Sequence, residues 1–265
     1  MSEQRAGALS IIDEAGDIVS RAAGFVGLLW ITSLPARLSL AWFLARLFVL
    51  RKEAGHYGNE LSRLAWLTLL LWLLSLWGRH AFVRASRHSL QSTLPPPANL
   101  LRGSMDGFLA YAISAAVIEF FFWLLMVTFA MPAMLLLLAG VAAAADPKTP
   151  RTALKTVFDG IGSLWMLLRL SFFFLLALAV VLINLHSFAQ SALWAASGLA
   201  PVDVAVWTHL LEYENPAYAL LLIAGATLLL EPFWLAALTV HVERVRARGS
   251  GEDLRRWFDG LRARA

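Results

Sequence analysis

The sequence predicts an all-α polytopic membrane helix bundle, with six transmembrane helices and amphipathic interfacial helices beside them. Three observations predict it. Of 265 residues, 59% are hydrophobic and only 15% charged, and the mean hydropathy is +0.67, too apolar for a soluble domain of this size. Apolar runs recur at the length of about 20 residues that a helix needs to cross a ~30 Å hydrocarbon core. Lys and Arg gather between alternate runs, as they do in cytoplasmic loops.

Residues 1–22 read as an N-terminal amphipathic surface helix. Ile11, Ile12, Ala15, Ile18, Val19 and Ala22 form one stripe, and Ser10 with Asp13 forms a cap. The polar face carries Asp13, Glu14 and Asp17, so it suits the protein's own basic segments or a partner rather than anionic lipid. The opening "MSEQRAGALSIIDEAGD" is net acidic and lacks the basic start and apolar core of a cleavable signal. The first span is therefore expected to be retained.

Residues 23–243 read as the transmembrane domain. Four runs, 23–50, 62–79, 164–187 and 217–241, each fit one span. The 39 residues of 107–145 would make about 58 Å of helix at ~1.5 Å per residue, close to two bilayer cores, and read as a hairpin of two spans. Its break is expected at "VTFAMPAM", where Pro132 disfavours helix in the residues before it and suits the first turn of a new one. Residues 244–265 read as a basic cytoplasmic amphipathic tail, with seven of the 22 Lys and Arg.

The basic residues give the expected orientation. Arg84, Arg87 and Arg102 fall in 80–106, and Lys148, Arg151 and Lys155 in 146–163, whereas 188–216 has no Lys or Arg. With six spans, both basic segments and both termini fall on the cytoplasmic side and 188–216 falls outside; only Arg51 and Lys52, in 51–61, disagree. The expected localisation is the bacterial inner (plasma) membrane. A pI near 9.8 with bases placed this way favours anionic inner-leaflet lipid over nucleic acid as partner.

An octapeptide recurs three times: "LRGSMDGF" at 101, "LKTVFDGI" at 154 and "LRRWFDGL" at 254. Leu154, Val157, Phe158 and Ile161 lie at i, i+3, i+4 and i+7, one face of a helix, as do Leu254, Trp257, Phe258 and Leu261. Leu154, Phe158, Leu254, Trp257 and Phe258, with Arg255 and Arg256, are the candidate lipid-facing interfacial residues, the arginines lying against anionic headgroups. Thr149-Pro150 is expected to start one such helix and Ser250 with Asp253 another. Asp-Gly is expected to stop the helix or bend it into the next span, because Gly accepts the left-handed conformation.

Arg37, Glu119 and Glu231 fall near the middle of spans and form a candidate intramembrane charge cluster, since each costs about 2.5–3.5 kcal/mol there unless paired or hydrated. Arg37 is expected to bridge one or both glutamates. Pro132 and Pro232 are candidate hinges, the latter opening the backbone beside Glu231. No HExxH, Walker loop, GxSxG elbow or dinucleotide fingerprint is present, the six histidines are dispersed, and no span pairs a serine with a histidine. With no cysteine, thiolate sites are excluded. The expectation is a chain with no catalytic residues, no metal and no cofactor.

The tail "EPFWLAALTVHVERVRARGSGEDLRRWF", through Pro232, Arg244, Arg246, Gly251 and Leu254, resembles a diffuse group of bacterial multi-pass proteins. The group comprises the membrane domain fused to some glycerophosphodiester phosphodiesterases and Yip1-like six-span proteins. "SIIDEAGDIVSRAAGF" and "ALKTVFDGIGSLWMLL" are similar to that group's surface helices, although acids here replace the basic residues of its first helix. The resemblance implies a bundle without known catalytic residues that acts as a membrane module or partner of other proteins. The function expected is therefore a non-enzymatic scaffold or accessory subunit binding lipid and a protein partner in the membrane. The alternative is a transporter of a small molecule, ion or lipid that uses Arg37, Glu119 and Glu231.

Overall fold

The computed structural model describes residues 7–50, 58–90, 97–128, 130–147, 149–199 and 204–251. Among them every regular element is helical. In chain order these are α1 (Ala8–Arg21), α2 (Ala23–Leu50), α3 (Gly58–Leu90), α4 (Pro97–Met105), α5 (Phe108–Thr128), α6 (Ala130–Ala145), α7 (Pro150–Gly160), α8 (Leu164–Leu199), α9 (Val204–Leu210) and α10 (Pro216–Ser250), with a single 3-10 turn at Ile161–Ser163 between α7 and α8.

Among the described residues, five helices are long and apolar enough to cross a membrane: α2, α3, α5, α10 and the continuous stretch through α8. Where six spans were expected, the sixth segment, α6, has 16 residues, about 24 Å at ~1.5 Å each, short of a ~30 Å core. The hairpin itself is present. Gly140 lies against Ile118, a Cβ there meeting its Cγ2 at 3.8 Å, so α6 returns antiparallel along α5. α5 ends at Thr128 and α6 begins at Ala130, and Pro132 occupies the first turn of α6, where a missing N–H removes no intrahelical bond. The small residues Gly140 and Ala144 thus pack within the chain.

Three helices outrun the apolar runs that reveal them. α3 continues from the expected end at 79 to Leu90, because no proline interrupts it and Ala81, Phe82, Val83 and Ala85 are buried. α8 extends past 187 to Leu199, and α10 past 241 to Ser250. The expected loop 80–106 is therefore mostly helix. Ser250 closes α10, its hydroxyl donating to the Ala247 carbonyl at 3.2 Å, and Gly251 follows at φ +70°. The expected helix of Leu254, Arg255, Arg256, Trp257 and Phe258 lies outside the described residues.

The chain forms two compact units, Met1–Leu29 with Leu76–Phe172 and Pro232–Ala265, and Trp30–Ser75 with Phe173–Glu231. The first holds the large side chains that are fully buried: Ile11 and Ile18 of α1, Phe82 and Val83 of α3, Leu138 of α6, Leu167 and Leu170 of α8, Leu238 and Val240 of α10. The stripe of α1 is thus covered by protein. Ser10 does not cap that helix: it starts at Ala8 after Gly7, and the Ser10 hydroxyl donates to the Gly7 carbonyl at 3.0 Å. The second unit exposes Ile31, Trp66, Leu70, Leu175, Ile183, Phe188 and Trp194, and the first likewise exposes Leu109, Phe120, Trp123 and Val127. A surface so apolar suits hydrocarbon rather than water.

The octapeptide takes two forms. In the 101 copy Gly107 has φ +79° and turns the chain from α4 into α5, as expected of Asp-Gly. In the 154 copy α7 ends at its glycine, but the chain passes through the 3-10 turn into α8 without a left-handed residue. Gly160 stays right-handed and is needed for packing, since a Cβ there would lie 2.9 Å from Leu138 Cδ1 of α6. Gly160→Val should lower stability by about 1–3 kcal/mol through overpacking. Gly16→Ala in α1, where a Cβ meets nothing within 4 Å, should raise it by about 0.4–1 kcal/mol by restricting the unfolded chain. Thermal unfolding of the two variants in detergent checks both signs.

Candidate functional site: paired charges and a polar strip on α3

The expected trio divides into two ion pairs. In the second unit, Arg37 of α2 reaches Glu231 of α10 at 2.8 Å and also donates to the Thr227 hydroxyl; the two charged side chains are 20% and 6% exposed. Thr227 sits one helical turn before Glu231, so one guanidinium engages both side chains through different nitrogens. In the first unit, Glu119 of α5 is held at 3.1 Å by Arg79 of α3. Arg79 was missed because it stands at the end of an apolar run, where an arginine reads as a flank. The signal available was charge balance: two glutamates against one arginine left a negative charge without a partner.

Beside Glu231, Pro232 has no N–H, so the Leu228 carbonyl loses the bond that α10 would otherwise give it. The indole N–H of Trp30 donates to that carbonyl at 3.0 Å. In hydrocarbon a freed carbonyl costs several kcal/mol unless another group supplies the bond. The candidate hinge is therefore tied from outside, and α10 runs through it as one helix.

The last turns of α3 carry His80, Arg84, Arg87 and His88 at i, i+4, i+7 and i+8, one face of the helix. This strip meets the ends of other helices. His80, fully buried, donates from Nδ1 to the Ala144 carbonyl in the last turn of α6, and its ring stacks on Tyr111 at 5.1 Å. A carbonyl only accepts, so Nδ1 carries the proton. Arg84 donates to the Gly103 carbonyl in the last turn of α4. A Cβ on Gly103 would stand 3.2 Å from the guanidinium, so glycine makes that approach possible. Carbonyls in a helix's last turn lack intrahelical donors and carry its negative dipole end, so donors and cations are the groups that satisfy them.

The strip continues into α10 and α1. Glu243 receives Arg87 at 3.2 Å and Arg246 at 2.8 Å, and Arg246 also donates to the Ala142 carbonyl of α6 at 3.4 Å. Arg244 reaches Glu14 at 2.7 Å and the Ser10 hydroxyl at 3.3 Å. The acidic face of α1 is thus partly spent on the protein's own basic helix, while Asp13 and Asp17 stay exposed.

A serine and a histidine do come together. Ser163 Oγ lies 3.1 Å from His241 Nε2. Ser163 also donates to the Gly160 carbonyl at 2.9 Å, which uses its one proton, so it accepts from the imidazole. The contact ties the joint between α7 and α8 to α10. Among the described residues no group of three or more His, Asp or Glu is placed to hold a metal ion.

On α7 the apolar stripe faces away from the protein. Leu154 is 63% and Phe158 69% exposed, with Ile161 and Trp165 continuing the row, while Ala153, Thr156, Gly160 and Ser163 face inward. No family model matches the chain, and no curated protein or solved structure matches it either.

Glu231→Gln leaves the Arg37 guanidinium without its counter-charge and should lower stability by about 3–5 kcal/mol, whereas Arg37→Leu with Glu231→Leu should recover most of that loss. Denaturation in detergent measures both. Trp30→Phe should cost about 1–2 kcal/mol in the wild-type background and close to nothing combined with Pro232→Ala, which restores the N–H for Leu228. A double-mutant cycle reads that difference directly.

Proposed function

We propose that the chain is a non-enzymatic membrane scaffold or accessory subunit, seated in a bacterial inner membrane with α4, α7 and both termini on the cytoplasmic side. The observation that carries this reading is that each intramembrane glutamate has its own arginine from another helix, Arg37 for Glu231 and Arg79 for Glu119. Charges paired in this way hold helices together; a relay or substrate site would leave one of them to bind cargo. The short α6 is read as a sixth crossing of a locally thinned bilayer, as short apolar segments are accommodated.

In this reading the outward row Leu154, Phe158, Ile161 and Trp165 lies in the headgroup boundary, with anionic inner-leaflet lipid against the bases of α7 and of the tail, including Arg255 and Arg256. Asp13 and Asp17 on α1 offer an acidic face to a protein partner. The resemblance to phosphodiesterase-fused and Yip1-like membrane modules points the same way. The transporter alternative draws on Glu231 beside Pro232, where a half-helix end could meet a substrate.

Co-purification in mild detergent separates the two. A scaffold keeps the wild-type partner set in Glu119→Gln and Glu231→Gln, at reduced thermal stability, and loses it when residues 1–22 or 250–265 are removed. Glutamine variants that keep both fold and partner set yet abolish the wild-type cell phenotype would instead select the transporter.

A further inference from the structure

The first unit carries a pocket of about 370 Å³, open to the surface, lined by Arg84, Arg87 and His88 of α3, by the exposed Asp106 in the turn between α4 and α5, and by Asp146 just after α6. Each wall stands where an apolar helix gives way to polar sequence. Asp106 comes two residues before α5 begins and Asp146 one residue after α6 ends, while Arg84 to His88 fill the last turns of α3. Groups in those places lie at the depth of phospholipid headgroups.

The two walls carry opposite charge and do not neutralise one another. Among the described residues no ion pair joins Arg84 or Arg87 to Asp106 or Asp146: Arg84 is engaged by the Gly103 carbonyl and Arg87 by Glu243. A pocket between cations and carboxylates that are not bridged to one another suits an occupant bearing both signs. Guanidinium groups match a phosphate's oxygens, and a primary ammonium can donate to two carboxylates at once. The size falls within the range of ligand pockets, roughly 300–1,000 Å³.

We infer that this cavity binds a phosphoethanolamine group, its phosphate against Arg84 and Arg87 and its ammonium between Asp106 and Asp146. The group is shared by a zwitterionic phospholipid and by its water-soluble deacylated form. The inference rests on the cavity alone and is independent of the scaffold reading.

Native mass spectrometry of the full-length protein in dodecyl maltoside, titrated with dioleoyl phosphatidylethanolamine or dioleoyl phosphatidylglycerol, tests it. The two lipids share the phosphate and differ in the amine. The expected result is at least five-fold tighter binding of the ethanolamine lipid, a preference lost in Asp106→Asn with Asp146→Asn, and weaker binding of both lipids in Arg84→Gln. Competition by glycerophosphoethanolamine identifies the source. Displacement at concentrations similar to the lipid's indicates a water-borne ligand, and displacement only at about a hundred-fold excess, the margin expected when buried acyl chains supply the remaining affinity, indicates a membrane lipid. Equal affinity of the wild-type protein for the two lipids overturns the proposal even if a variant fails to fold, as does a preference that survives loss of both carboxylates.

Discussion

A hydrocarbon core supplies no hydrogen-bond partner, and the polar groups of this chain are arranged around that lack. Glu231 and Glu119 would be expensive alone in such surroundings, and each is met by an arginine from a different helix. The same constraint acts on the backbone. Pro232 strips the Leu228 carbonyl of its donor, and a tryptophan from α2 replaces it. These ties differ in kind from apolar packing, because lipid tails are as apolar as leucine and give helices little hydrophobic reason to choose each other. Direction and register come from the few polar contacts that lipid cannot imitate.

Within the first unit the constraint takes another form, because helices end there and leave carbonyls open. The polar strip of α3 is spent on those ends: His80 on α6 and Arg84 on α4. Arg246 of α10 adds a second donor to α6. Glu243 then receives one arginine from α3 and one from its own helix, so α3 and α10 are joined by charge. Glycine sets how closely the parts approach. Gly103 admits the Arg84 guanidinium, Gly160 admits Leu138, and Gly249 admits the Asp159 carboxylate, where a Cβ would stand 2.9 Å from its Oδ2. The Asp-Gly pair of the 154 copy is therefore a packing device on both residues, while that of the 101 copy makes a turn.

Much of the helical plan was legible because it depends on apolar run length, which lipid reads as directly as a reader does. The start of α2, the α5–α6 hairpin and the outward stripe of α7 all follow from spacing alone. The ends of α3, α8 and α10 did not, since run length marks where hydrocarbon stops and says nothing of where a helix stops. His80, Arg84, Arg87 and His88 looked like loop residues for that reason, although their i, i+4, i+7 and i+8 spacing was in plain view. The pairing of Arg37 with Glu231 rather than Glu119 is a long-range choice that depth alone cannot make. The cap expected from Ser10 failed because the helix began three residues earlier, with Gly7 in the cap position, and the serine hydroxyl donates to the Gly7 carbonyl.

The account turns on helices lying across hydrocarbon with the α3 strip at one water boundary. The chain has no cysteine, so single cysteines placed at Asp106, Asp146, Lys155 and Glu212 can be labelled from either face of sealed membrane vesicles. The first three should react from one face and Glu212→Cys only from the other, because α5 and α6 return to their starting end and α8 crosses between Lys155 and Glu212. Labelling of Lys155→Cys and Glu212→Cys from the same face would contradict it.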